Sequence, residues 1–141
     1  MRPILYFGHP VNTYNTELEK ILIAKILRTF PNCIVENPNQ EKHRIGYERW
    51  KIKTGNGMTY YFSEVLPFCH GGIFLPFRDG AWGAGVYGEA EFFASKNGSS
   101  KVLEIDWKAQ VRMVRLESAV RLTVQETRRR VYGENGILLP Y

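Results

Sequence analysis

Cysteine is scarce in this chain: Cys33 and Cys69 stand far apart and in no CxxC pair. That spacing argues against a disulfide framework and predicts two buried thiols. Histidine is nearly as scarce, at three residues. His9, His43 and His70 do not fall into metal-ligand spacing with Cys69 or with one another, so no metal site and no cofactor is expected. No apolar run approaches the ~20 residues needed to span a bilayer. No basic start leads into an apolar segment with a small-residue cleavage site. These absences predict a soluble, cytoplasmic protein with no membrane partner. Internal repeats, low-complexity tracts and linkers are missing too, so residues 1–141 read as a single domain.

What is present is enough for a core. Of 141 residues, 44% are hydrophobic and 13% aromatic, which argues against disorder. The net charge of +5 is a moderate excess, compatible with phosphate-bearing ligands and only a weak pointer to nucleic acid.

The stretch from Arg78 to Ala94, RDGAWGAGVYGEAEFFA, is the centre of the chain. An apolar run, Gly72-Ile73-Phe74-Leu75-Pro76-Phe77, precedes it and reads as a buried strand. Gly80, Gly83, Gly85 and Gly88 make the next segment glycine-dense. Val86, Ala90, Phe93 and Ala94 then recur at helical spacing. Strand, glycine loop and helix start in that order form a cradle for an anionic or polar ligand, with free N–H groups of the first turn pointing at it. Glu89 falls near that helix start, where its carboxylate would face the ligand.

Upstream, Ile4-Leu5-Tyr6-Phe7 reads as a strand ending at Gly8-His9-Pro10. Thr16 and Glu19 stand as a capping box, opening a helix to about Phe30 with Leu18, Ile21, Leu22, Ile26 and Phe30 inward. Pro31-Asn32 stops it and Cys33-Ile34-Val35 forms a second strand, which gives a right-handed β-α-β unit. Residues 40–57 are polar and predict a loop with a short helix. Residues 50–65 fit either a hairpin about Thr54-Gly55-Asn56-Gly57 or a helix from Met58 to Leu66. The helix is favoured, because a crossover is needed before the Ile73–Phe77 strand. Downstream, Asn97-Gly98-Ser99-Ser100 is a turn, Lys101–Ile105 a fourth strand, and Val111–Leu116 an edge strand or a loop touching the sheet. Thr123-Val124-Gln125-Glu126 is a second capping box, opening a helix to about Tyr132. The apolar tail Ile137–Tyr141 docks on its own domain or on a second subunit.

Two blocks give the chain a family likeness. Tyr6-Phe7-Gly8-His9-Pro10 is similar to the strand-end Y-x-G-P of the nucleoside 2-deoxyribosyltransferase-like superfamily. Gly85-Val86-Tyr87-Gly88-Glu89 resembles its G-T-x-x-E, with Ala90 and Ala94 on the helix beyond. Asn37-Pro38 and the terminal Thr123–Arg130 helix are consistent with it. The resemblance implies a doubly wound, Rossmann/flavodoxin-like α/β fold with a mostly parallel sheet of about five strands flanked by helices. It also implies an N-glycosidic-bond enzyme acting on a small-molecule nucleoside or nucleotide, hydrolase or base transferase. Glu89 would be the nucleophile, Tyr6 would orient it, and Asp79 would protonate the leaving base. The chain departs from the pattern at Val86, where the family has threonine. It departs again at Asp79, which precedes Gly85 by more than the usual distance.

Gly8, His9, Asn12, Arg78, Trp82, Gly83 and Gly85 are the expected ligand contacts. Plainer readings stand beside these. Glu89 would also suit a first helical turn for the macrodipole alone. Arg78-Asp79 reads either as phosphate reader and acid or as an internal ion pair. His9 and Asn12 read either as contacts or as loop-stabilising polar residues. Trp82 has nothing periodic around it, which places it outside the core, stacked on a base, covering the pocket or at an interface. Glu91 is a second proton carrier by type, but i and i+2 on a helix point apart. Rival functions are a phosphoribohydrolase of the lysine-decarboxylase-like type, a nucleotide-sensing module without turnover, and an RNA-binding protein using Arg112, Arg115, Arg121 and Arg128-Arg129-Arg130. A homodimer that completes the pocket is a further implication of the resemblance.

Overall fold

The computed structural model describes residues 1–95 and 102–141. Five strands, β1 Ile4–Gly8, β2 Ile34–Glu36, β3 Gly71–Phe74, β4 Val102–Ile105 and β5 Val111–Met113, form one sheet in the order β2-β1-β3-β4-β5. The pairings of β1 with β2, β1 with β3 and β3 with β4 are parallel, whereas β5 runs antiparallel to β4. The sheet is therefore mixed. The reason lies in residues 106–110, a connection too short for a crossover. There the Asp106 carboxylate accepts the N–H groups of Lys108 and Gln110, which closes a hairpin. The expected turn at Asn97–Ser100, and Lys101 at the start of the fourth strand, lie outside the described residues.

Each sheet face has its own helix. α1, Glu17–Thr29, buries Leu22 and Ile26 against Phe7, Ile73 and Ile105. Thr16 caps it, its hydroxyl accepting the Glu19 N–H at 3.2 Å. Ile21, expected inward, is 49% exposed, because ~100° per residue carries it off the stripe that Leu22 and Ile26 occupy. α4, Ala84–Ser95, covers the opposite face, burying Val86, Ala90 and Phe93 with Tyr6, Phe74 and Val102. Alternation along β1 and β3 divides the core: Tyr6 and Phe74 face α4, Phe7 and Ile73 face α1.

The sheet is glycine-poor except where Phe74 lies. In the parallel register Gly8 pairs with Phe74, and Gly72 pairs with Tyr6. A Cβ on Gly8 would stand 2.5 Å from Phe74 Cδ1, and one on Gly72 2.5 Å from Phe74 Cε2. The ring lies over both glycines, and any side chain at either position would displace it.

Residues 40–57 form a full helix, α2, Glu41–Thr54, where a loop was expected. The signal was present at helical spacing in His43, Tyr47 and Trp50, but the polar residues between them hid it. Gly55 ends α2 at φ 80°, with its N–H on Lys51 O at 2.8 Å. A helical turn at Gly57–Thr59 leads into α3, Tyr60–Glu64. The segment thus takes the helical alternative and not the hairpin.

α5, Val124–Val131, carries the complete capping box of Thr123 and Glu126. The tail beyond folds back on its own chain. Tyr132 and Leu138 pair, the Leu139 N–H reaches Val131 O at 2.8 Å, and the Tyr141 ring stacks on Phe77 with its hydroxyl on Pro76 O. Cys33 and Cys69 form no disulfide; Cys69 is buried as expected, its thiol on Val65 O at 3.4 Å, whereas Cys33, just before the edge strand β2, is only partly buried. Among the described residues no helix is long and apolar enough to cross a membrane.

Candidate functional site

A cavity of about 300 Å³ opens where the chain leaves the C-terminal ends of β1, β2 and β3. α1 and α4 leave the sheet on opposite faces, and such divergent connections open a crevice between β1 and β3. Tyr6 stands on β1, and His9, Pro10 and Tyr14 come from the loop after it. Pro38 follows β2, Tyr47 comes from α2, and Met58, Tyr61 and Phe62 come from around α3. Gly83, Gly85, Val86 and Glu89 belong to the loop and helix after β3, and Thr127, Arg128, Val131 and Tyr132 to α5 and its end.

Among the described residues that line this cavity, Glu89 is the single carboxyl. It sits in the second turn of α4, further along than expected, so stabilisation by the helix N-terminus does not explain it. The Tyr6 hydroxyl donates to its Oε2 at 2.7 Å. Among the described residues no hydrogen bond reaches Oε1, which lies beside the space a Gly8 side chain would fill, 3.2 Å from a Cβ built there. Glu89 keeps partial exposure because it borders the cavity, yet protein surrounds the carboxyl. Burial pushes it up to about 7, and the Tyr6 hydrogen bond offsets part of that rise. Burial first, then the Glu89 charge, raises Tyr6 and Tyr61 well above the usual phenol range. Tyr14 is raised too, by burial and then by Tyr61 and Glu89.

The other expected site residues divide. His9 borders the cavity but is held from behind, with Nδ1 on Phe7 O at 2.8 Å and Nε2 on Glu19 Oε2 at 2.7 Å. Both nitrogens are thus taken up by Phe7 and Glu19. Gly83 and Gly85 line the cavity; a Cβ on Gly85 would meet open space. The expected row of free helical N–H donors is incomplete, because the Ala84 N–H donates to Thr127 Oγ1 of α5 at 2.9 Å.

Asn12, Arg78, Asp79 and Trp82 lie elsewhere. Asn12 is buried under the tail, its Nδ2 donating to Arg130 O and Leu139 O. Arg78 stacks on Trp107 and Tyr141 and donates to Tyr141 O. Asp79 makes a two-point pair with Arg130, 2.8 Å on each side, which holds it down to about 2. Arg78 and Asp79 border a separate recess with Glu104 and Trp107, and Asp79 is in no position to protonate a group beside Glu89. Trp82 is 1% exposed and belongs to the core. Its backbone pairs with Val120 and Leu122, and its ring meets Phe74 and Tyr87, neighbours that no sequence period reveals.

Tyr14, Tyr47, Tyr61 and Arg128 are lining residues that sequence reasoning did not select. The run Tyr60-Tyr61-Phe62 was the visible signal, and its aromatic density marks a wall. Of the arginines considered for RNA, Arg112 pairs with Glu104 and Asp106, Arg121 covers Tyr87, and Arg130 holds Asp79. Among the described residues no three His, Cys, Asp or Glu side chains gather as a metal site.

No family model, curated protein or solved structure matches the chain.

Proposed function

We propose that this chain cleaves or exchanges the N-glycosidic bond of a small nucleoside or nucleotide, with Glu89 as nucleophile. One observation carries the reading: Glu89 is the single carboxyl among the described lining residues, and Tyr6 holds its Oε2 while no hydrogen bond among the described residues reaches Oε1. A carboxylate held by one oxygen and open at the other suits attack on an oxocarbenium-like carbon. Oε1 would bond to the anomeric carbon as the bond to the base nitrogen breaks, its electron pair leaving with the base. Water, or a second base, would then displace the sugar from Glu89. The volume of about 300 Å³ suits a single nucleoside. Tyr14, Tyr47 and Tyr61 offer faces for a planar ring. Strand order and helices on both faces support a doubly wound ancestry, with the ligand at the point where the windings diverge.

The test is base release from a panel of nucleosides and 5′-nucleotides, wild type beside Glu89→Ala. Release that disappears in the variant is the expected result. Ligand binding of equal strength in both proteins, with no release from either, would reduce the pocket to a binding module.

A further inference from the structure

We infer that the base on the preferred substrate carries a permanent positive charge, as in a pyridinium or N-alkylated purine glycoside. The inference rests on the glycosidic reading and names the substrate class of that same cavity.

Two features of the site lead there. The first is a cage. Tyr14 and Tyr61 line the cavity with Glu89, and the buried Tyr6 ring backs Tyr61 edge to face at 6.3 Å and 62°. Aromatic faces attract a cation through the ring quadrupole, and the single carboxyl of the lining adds a counter-charge when ionised, a state that a bound cation favours. Neutral bases, by contrast, need paired donors and acceptors along one edge, and this lining is mainly aromatic and aliphatic.

The second concerns the acids expected for the leaving base, which among the described residues are engaged elsewhere or weakened. A neutral base leaves as an anion unless it is protonated. Asp79 is paired with Arg130 in a separate recess. Both nitrogens of His9 are occupied by Phe7 O and Glu19. The Tyr6 hydroxyl is committed to Glu89, and burial makes it and its two tyrosine neighbours weaker acids still. A cationic base removes the difficulty. As Oε1 bonds to the anomeric carbon, the C–N electron pair neutralises the ring nitrogen, and the base departs uncharged with no proton transferred. Water then attacks the sugar ester, losing its proton to solvent and returning Glu89 as the carboxylate. Arg128 does not oppose this charge, since it is exposed at the rim and screened by solvent.

The test has two independent arms. Calorimetry compares the N1-methylnicotinamide cation with neutral nicotinamide. The cation should bind roughly tenfold more tightly, as expected for a caged cation. That preference should vanish in Glu89→Gln, persist in Tyr61→Phe and shrink in Tyr61→Leu. Base release compares nicotinamide riboside with adenosine and cytidine. The charged nucleoside should react about 100-fold faster or more, the share a general acid would otherwise supply. Equal or weaker binding of the cation overturns the inference. Faster release from the neutral nucleosides also overturns it and leaves the glycosidic reading in place. Cation preference with no release from any nucleoside removes the glycosidic reading, and the substrate class with it, leaving a cation-binding pocket.

Discussion

Glu19 and Glu89 are both enclosed carboxyls near the end of β1, and they have opposite character. Burial pushes Glu19 upward, but His9, Asn39 and the Asn15 N–H surround it and hold it below its ordinary value. Glu89 receives one hydrogen bond, from Tyr6, and burial prevails. Depth and supply of donors act together: the Glu89 carboxyl is the more enclosed of the two and has the fewer donors. The well-supplied carboxyl is a structural joint between the first loop and Asn39. The poorly supplied one borders the cavity, and that is the basis for proposing it as the nucleophile.

Removing the reactive member should give the largest effect. Glu89→Gln preserves shape and should lower base release by roughly a thousandfold or more. A variant within tenfold of wild type would end the nucleophile assignment. Removing the structural member should instead damage the fold. Glu19→Ala leaves the buried His9 Nε2 without its partner and should cost about 3 kcal/mol in urea denaturation. A loss below ~0.5 kcal/mol, the size of a surface change, would mean the His9–Glu19 pair is not a joint.

Stability against pH should separate the two by sign. The folded Glu89 value is raised, so its contribution is fully present below the ordinary 4.5 and is lost as pH climbs through about 7. Wild type should lose up to about 3 kcal/mol over that climb, and Glu89→Gln should not show the slope. Glu19 is lowered, so its contribution holds across that window and fades only in acid below its ordinary value. Parallel slopes in wild type and Glu89→Gln would contradict the assignment. The finest change is Tyr6→Phe. Loss of the one donor should move the acid limb of base release upward by about one pH unit, and a downward shift would mean the hydroxyl favours the protonated acid.

Much of this architecture was legible because it is periodic or local. The apolar strand at Ile4–Phe7, the cap at Thr16, the capping box at Thr123, and Glu89 as a candidate after the glycine loop could be read from residue types and spacing, whereas Tyr6 entered as a site candidate only through the family resemblance. Trp82 and Asp79 could not. Trp82 is buried by a backbone pairing with residues near 121, and Asp79 is claimed by Arg130 far along the chain. Tyr14 and Tyr61 escaped for the same reason, since a wall assembled from separate loops has no period. The polar surface of α2 concealed a helix whose evidence was three aromatic positions.

Phe74 over Gly8 and Gly72 bears on how such a protein can diverge. A methyl group at either glycine collides with the ring, while a smaller residue at 74 opens a void under the oxygen that Gly8 leaves room for. Viable change at any of the three positions requires change at another, so descendants of this chain should vary there as a linked trio. Their drift would be slow and stepwise correlated, even though none of the three is proposed to touch the reacting bond.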